Sequence, residues 1–477
     1  MVEPLALAVY GVLLVAAATA VWRRPLVALY VFLLGLAAHN FVMALLWGAG
    51  VRGNSLEAIA AWKEGLLAVA VARVAWDARR ARKLPFRPGL VDALAVAFGT
   101  IVFLYAVIPQ SALGGAAGTK AILYGLRHDL VPVVAYFLGR SVGLGRLRPV
   151  AWTVLGAAAA VAVFGLVEEY AVPVEWWRHS GAVGYYHDQL GFDYHGPGGL
   201  PENFAFNTSH GLYRRLISTF ISPLAAAYML VVALLLAPRR WLAAGLAVPV
   251  FAGLLWTVSR SALAGLAVGL VVLALARRVR WPIPAAALAV GLGIAFAYAF
   301  TSITPKTHFF KADLAYQEAY AKAHPGAKLK VLSPSEPSIK SHLTNLREGL
   351  KTVGKHPQGY GLGNAGATAS RFGVPLRTGE SNYTEIGAET GLAGMLLFIA
   401  WNLALLWGLV RARVSSAAAT VAAALAAILA VAIQTDAYGV PWLGYCLWWL
   451  AGSLLAAGAM SSWPRSSIRT STSDTST

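Results

Sequence analysis

WLAAGLAVPVFAGLLWTVSRSALAGLAVGLVVLALARRVR occupies residues 241–280, and its reading decides the fold class. Two apolar runs, each close to the length that crosses a bilayer as a helix, are separated by a single arginine, Arg260. The second run ends on Arg277, Arg278 and Arg280. Nothing in the stretch alternates with the period of two that a membrane barrel strand needs. A helix satisfies its own backbone hydrogen bonds in lipid, so the stretch reads as two transmembrane helices joined by a short turn.

The same pattern recurs on both sides. Spans are expected near residues 4–22, 25–48, 58–77, 90–109, 119–139, 149–170, 216–237, 240–257, 259–276, 282–301, 386–410, 415–434 and 437–458. The 477-residue chain is 58% apolar and only 13% charged, too few charges to cover a water-facing surface. The expected fold is therefore an all-α, polytopic transmembrane bundle of about twelve to thirteen spans. The first run lacks a basic leader and reads as a retained span. The lone Cys446 excludes a disulfide framework and a cysteine-based metal site.

The net charge of +18 sits mostly in short loops and so does not indicate nucleic acid. Every second loop is basic: Arg23 and Arg24; Arg79, Arg80, Arg82, Lys83 and Arg87; Arg140, Arg146 and Arg148; Arg239 and Arg240; the 277–280 cluster; Arg411 and Arg413. The positive-inside rule then puts the N-terminus outside and the C-terminus in the cytoplasm. Two long loops, 171–213 and 301–385, fall outside. The expected domains are transmembrane helices in 1–300, an extracytoplasmic loop domain in 301–385, C-terminal transmembrane helices in 386–460 and a disordered cytoplasmic tail in 461–477. The first outer loop is aromatic: Trp176, Trp177, Tyr185, Tyr186, Tyr194, Phe204 and Phe206, with His187 and His195. It reads as an interfacial belt or as a platform for sugar rings or lipid. The second should carry an amphipathic helix near 338–354.

Charge inside a span is expensive and points to function. Lys63 and Glu64 fall in the third span, where they can pair. Arg127, His128 and Asp129 interrupt the fifth, where they could break the helix and line a cavity. Arg214 and Arg215 open the seventh span in YRRLISTFISP, and Arg260 sits at an outer turn, against the charge rule. Guanidinium keeps its charge when desolvated and matches phosphate oxygens, so these arginines suggest an outer anion site. The loop closes with HPQGYGLGNAG (356–366) and TGESNYTEIGAETGLAG (378–394). The glycine string follows no strand, so it is not a nucleotide loop. Glu380, Glu385 and Glu389 are candidate general bases or ion-pair partners.

The order of these segments resembles the O-antigen ligase and O-antigen polymerase superfamily of bacterial membrane glycosyltransferases. It runs from an arginine before TF…P, through TVSRSA opening a span, to HPQGYGLGN in a long loop and ESNYTEIGAETGLAG entering a span. The motifs cover about residues 210–410, and the topology covers the whole chain. The resemblance implies a GT-C-like bundle in the inner membrane, working without metal or cofactor on its periplasmic face. The implied donor is an undecaprenyl-pyrophosphate-linked oligosaccharide. The acceptor is a glycan hydroxyl on a lipid-linked repeat or on lipid A-core, and a chain-length regulator protein is a further candidate partner. Carried over, Arg215 and Arg260 stabilise the leaving pyrophosphate and Glu380 is the candidate base, with His356 second. Arg214, His356, Asn382 and Tyr383 are candidate binding residues. Ligases usually carry a histidine where this chain has Glu380; several polymerases carry a Glu-Ser pair there, as Glu380–Ser381 does here. That favours polymerase-like chemistry, with ligase as the alternative. A lipid-linked oligosaccharide flippase and an assembly scaffold are the readings from other classes.

Overall fold

A computed structural model describes residues 2–192, 194, 196, 199–208, 211–305, 307, 322, 337–412 and 416–457. The expected tail from residue 461, His195, Arg413 and most of the loop from 308 to 336 lie outside the described residues.

In chain order the helices are α1 Val2–Arg23, α2 Leu26–Gly48, α3 Gly53–Ala60, α4 Trp62–Ala81, α5 Leu90–Val107, α6 Thr119–Val142, α7 Leu147–Ala171 and two short ones, α8 Val174–His179 and α9 Ala182–Gly184. Then come α10 Pro223–Leu236, α11 Trp241–Trp256, α12 Arg260–Arg277, α13 Pro282–Ile303, α14 Pro337–Lys355, α15 Gly366–Arg371, α16 Asn382–Arg411, α17 Ser416–Val431 and α18 Pro441–Ala457. Eight are long and apolar enough to cross a membrane, and α10, α11 and α17 are shorter apolar helices. With α4 and α18 they stand at the thirteen expected positions. The chain is a multi-pass helical membrane protein.

The bundle is built around α10 and α17, whose faces are buried nearly all round. A helix apolar on every side belongs in the centre. Around them α6 packs along α18, α12 along α17, α5 along α16, and α7 along α11. Small residues permit the closest crossing. A Cβ on Gly139 of α6 would stand 2.1 Å from the Trp449 carbonyl oxygen, and one on Gly452 of α18 would stand 2.2 Å from that of Tyr136.

The two ends of the bundle differ. At one end lie the basic turns, and there Asp92 holds Arg140. It accepts from Arg140 Nε at 2.9 Å, Arg140 Nη2 at 3.0 Å, Tyr136 Oη at 2.7 Å and the Gly89 amide at 2.8 Å. At the other end the long connections interlock. The Gly53 amide donates to Gln189 (2.8 Å), the Ala116 amide to Asn364 (2.8 Å), Arg215 to the Thr257 carbonyl (2.8 Å) and the Asn382 amide to the Ala432 carbonyl (3.1 Å).

Three expectations need correction, and one element was unanticipated. The seventh span does not begin at 216 but at Pro223, with Ser222 as N-cap. The preceding LISTFIS is a buried turn, pinned by Ser218 Oγ on the Val161 carbonyl and Thr219 Oγ1 on the Ala37 carbonyl, both at 2.6 Å. The Arg127–Asp129 cluster does not break α6, which stays helical: Arg127 pairs with Glu64 of α4, His128 with Asp436, and Asp129 with the adjacent His128. The span expected at 386–410 starts at Asn382 and is two helices joined at Gly391 (φ 74°), where the Leu392 amide donates to the Pro357 carbonyl at 2.8 Å. A Cβ on Gly391 would stand 2.5 Å from that carbonyl oxygen. Finally, the first long loop holds an antiparallel hairpin, β1 Ala205–Thr208 and β2 Gly211–Arg214.

Candidate active site

The two cations singled out in the sequence reach one place by different routes. β2 ends at Arg214, and the chain runs on extended: the Arg215 amide donates to the Phe204 carbonyl at 3.1 Å and the Leu216 amide to the Trp256 carbonyl at 3.0 Å. Successive side chains of an extended segment point to opposite sides. Arg214 therefore turns into the bundle, where it pairs with buried Glu168, donates to the Glu169 and Val172 carbonyls, and lies against Phe204. Arg215 turns the other way and donates through Nε to the Thr257 carbonyl.

That carbonyl belongs to TVSRSA, whose residues each make part of a sharp corner. Thr257 ends α11, with its hydroxyl on the Leu254 carbonyl at 2.6 Å. Val258 takes a positive φ of 49°, uncommon for a β-branched residue. Ser259 caps α12 by accepting the Ala262 amide at 3.3 Å. Arg260 is then the first residue of α12, beside the positive end of the helix dipole.

Arg215 and Arg260 line one cavity of about 850 Å³, together with Ser259, His342, Glu380 and Asp436. Burial first, and then Arg260, lower the Arg215 guanidinium to about 10, still charged at neutral pH. Two like charges in one cavity, with a helix N-terminus between them, make a receptor for an anion. Across from them Glu380 pairs with His342 of α14 at 2.5 Å.

Asp436 and His342 were not singled out in the sequence. Asp436 lies in the turn between α17 and α18, and the only signal is an acid in the gap between two apolar runs. His342 has only its place on an amphipathic helix. Asp436 Oδ1 accepts from His128 Nε2 at 3.1 Å, Asn382 Nδ2 at 2.7 Å and the Gly439 amide at 2.7 Å. Burial alone would raise its pKa, but His128 and these donors hold it below the usual carboxylate range.

The remaining candidates lie outside this lining. Asn382 works through Asp436, and its Oδ1 also accepts the Ala437 amide at 2.7 Å. Tyr383 donates to the Leu429 carbonyl at 2.9 Å. His356 stacks on Tyr360 with ring centroids 3.9 Å apart, closing the glycine loop. That loop wraps the start of α16: Glu389 Oε1 accepts the Gly363 amide at 2.8 Å and the Ala365 amide at 3.3 Å, so Glu389 holds the backbone. Arg214→Ala is accordingly expected to unfold the protein more easily, by about 3 kcal/mol or more, because it strands buried Glu168. Thermal unfolding in detergent measures this, and a wild-type melting curve would contradict the ion pair's role.

Among the described residues, His128, Glu385 and Asp436 offer donor atoms within 4.8 Å of one another, a spacing that a metal ion could bridge. Both His128 nitrogens already face carboxylates, Asp129 at 2.8 Å and Asp436 at 3.1 Å, an arrangement that suits a bridging imidazole better than a ligand.

Fold and site together define a multi-pass membrane protein built around a dicationic cavity at the loop-rich end of its bundle. Residues 245–399 match the family model described as O-antigen ligase, a span that contains TVSRSA, the glycine loop and the Glu380 segment. That match supports a relation of this segment to the O-antigen ligase and polymerase superfamily. No curated protein matches the chain. The family implies a membrane glycosyltransferase-like ligase or polymerase acting on lipid-linked glycans.

Proposed function

We propose that this protein transfers a glycan from an undecaprenyl-pyrophosphate carrier to an acceptor hydroxyl, with polymerase-type use of a second lipid-linked repeat as acceptor. The carrying observation is that Arg215 and Arg260, from separate stretches of chain, share one cavity with Glu380. The acceptor oxygen attacks the anomeric carbon as the bond to the pyrophosphate oxygen breaks, and the electron pair leaves with the pyrophosphate. The proton passes to Glu380. A single displacement inverts the anomeric configuration. Charge grows on the leaving oxygens, where the two guanidinium groups and the α12 N-terminus stabilise it without metal. The cavity faces the periplasm, a placement supported by the basic turns gathering at the opposite end. Glu380–Ser381 supports the polymerase form over the ligase form.

The test supplies purified protein with a lipid-linked oligosaccharide and two acceptors, a second lipid-linked repeat and a lipid A-core. Chains longer than one repeat on the first acceptor are expected, with no nucleotide added. Transfer only to lipid A-core would turn the reading to ligase, and a requirement for a nucleotide sugar would end it.

A further inference from the structure

A second charged cavity lies next to the first. It occupies about 260 Å³ among α4, α6, α15 and the aromatic loop, and an adjoining lobe of about 300 Å³ shares most of its wall. Ala367, Asp436 and Gly439 line both this cavity and the one that holds Arg215 and Arg260.

Its inner wall presents three basic side chains: Lys63, Arg127 and Arg371. Lys63 is 5% exposed, its ammonium donating to the Ala60 carbonyl at 2.6 Å and lying 3.5 Å from Glu64. Arg127 reaches the same Glu64 at 3.3 Å. Arg371 donates to Tyr124 Oη at 3.2 Å, and among the described residues no carboxylate stands within ion-pair distance of it. The guanidinium carbons of Arg127 and Arg371 lie 4.4 Å and 4.2 Å from the centroid of the Tyr124 ring. The second acid of the wall, Asp436, is engaged by His128, Asn382 and the Gly439 amide. Glu64 thus answers three cations, while Glu57 of the outer lobe is exposed. Holding like charges this close is unfavourable until an anion joins them. Tyr124 and Tyr185 add ring faces and edges suited to a sugar.

We infer that this cavity binds an oxyanion, a carboxylate or a phosphate, carried by the acceptor, and holds it one wall away from the reaction cavity. The assignment to the acceptor rests on the proposed transfer reaction; the anion site itself does not. Arg371 and Arg127 present forked donors to two oxygens of one group, and Lys63 adds a point charge from below. An acceptor anchored there has its hydroxyl delivered past Asp436 towards Glu380. Acidic acceptors are therefore selected over neutral ones of the same shape.

Binding to full-length protein in nanodiscs tests this with three probes: a uronate-bearing oligosaccharide, its carboxyl-reduced neutral counterpart and undecaprenyl phosphate. The wild type should bind the uronate probe more tightly than the neutral one, and Arg371→Gln should weaken that binding about tenfold or more. Arg371→Lys should restore part of it, which separates the charge from folding. Lys63→Met should weaken the uronate probe and leave the neutral one unchanged. Tighter binding of undecaprenyl phosphate, lost in Arg371→Gln, supports the oxyanion site and assigns it to a lipid phosphate. Equal binding of acidic and neutral probes, or unchanged binding in Arg371→Gln, overturns the site. Arg260→Ala should leave uronate binding intact while slowing release of lipid pyrophosphate from the donor about a hundred-fold or more. Retained release in Arg260→Ala with uronate binding intact would show that the reaction cavity has been misread, whereas loss of uronate binding in Arg260→Ala would show that the separate anion site has been misread.

Discussion

Arg260→Ala is expected to reduce glycan transfer by about a hundred- to a thousand-fold, the usual effect of removing one preorganised group that faces developing negative charge. Arg260 starts α12, so the helix dipole and the guanidinium act on the same oxygens. Arg215 remains in the same cavity and accounts for the residual rate. Arg260→Lys should recover only part of the loss, because an ammonium lacks the two-pronged donor geometry. The double variant with Arg215→Ala should fall by less than the product of the single effects, since the two groups serve one leaving group. Release of lipid pyrophosphate is the readout, with thermal unfolding as control. Arg215→Ala also removes the hydrogen bond to the Thr257 carbonyl, so its effect includes a structural component. Wild-type transfer by a folded Arg260→Ala protein would remove the basis of the enzyme reading and leave a scaffold or a flippase.

The fold was legible because the bilayer imposes a simple length rule, which eight of the described helices meet and three shorter apolar ones approach. The misplaced boundaries came from a common source. A hydropathy run does not distinguish helix from buried irregular backbone, and LISTFIS is apolar enough to pass for the start of a span. Only the Ser-Pro pair at 222–223 signals where the helix begins. Gly391 is similar: glycine is common inside membrane helices, and the sequence alone does not reveal that Pro357 approaches it. The β-hairpin was hidden because each strand is only four residues long.

The site was legible where chemistry violates the membrane's rules and illegible where it does not. Arginine at an outer turn is anomalous, so Arg215 and Arg260 stood out. The choice between Arg214 and Arg215 follows physically from strand alternation. Asp436 violates no rule in a loop, and His342 lies on an amphipathic helix where any polar residue is expected. Their importance is positional, arising from two elements far apart in sequence closing on α10 and α12. Lys63 and Arg127 of the second cavity stood out as costly charges in two separate groups, one in α4 and one in α6. Arg371, which completes them, comes from a short helix 244 residues after Arg127.

Glu380→Gln is expected to slow transfer to a sugar hydroxyl by about a hundred- to ten-thousand-fold while leaving donor binding unchanged. The hydroxyl must lose a proton as it attacks, and of the acids lining the cavity Glu380 is the better placed to take it. Asp436 Oδ1 is already saturated by three donors, which favours its ionised form and weakens it as a base. Glu380 is half-exposed to the cavity and lies beside His342. That contact makes His342 a positioning residue, so His342→Gln should lower the rate less than Glu380→Gln. Azide provides the discriminating measurement, because it attacks the anomeric carbon with no proton to remove. Wild type and Glu380→Gln should therefore form the glycosyl azide at similar rates, whereas Arg260→Ala should remain slow with azide and hydroxyl alike. If azide leaves the Glu380→Gln deficit in place, Glu380 acts by holding substrate; if Asp436→Asn is the variant that azide restores, the proton goes to Asp436 instead.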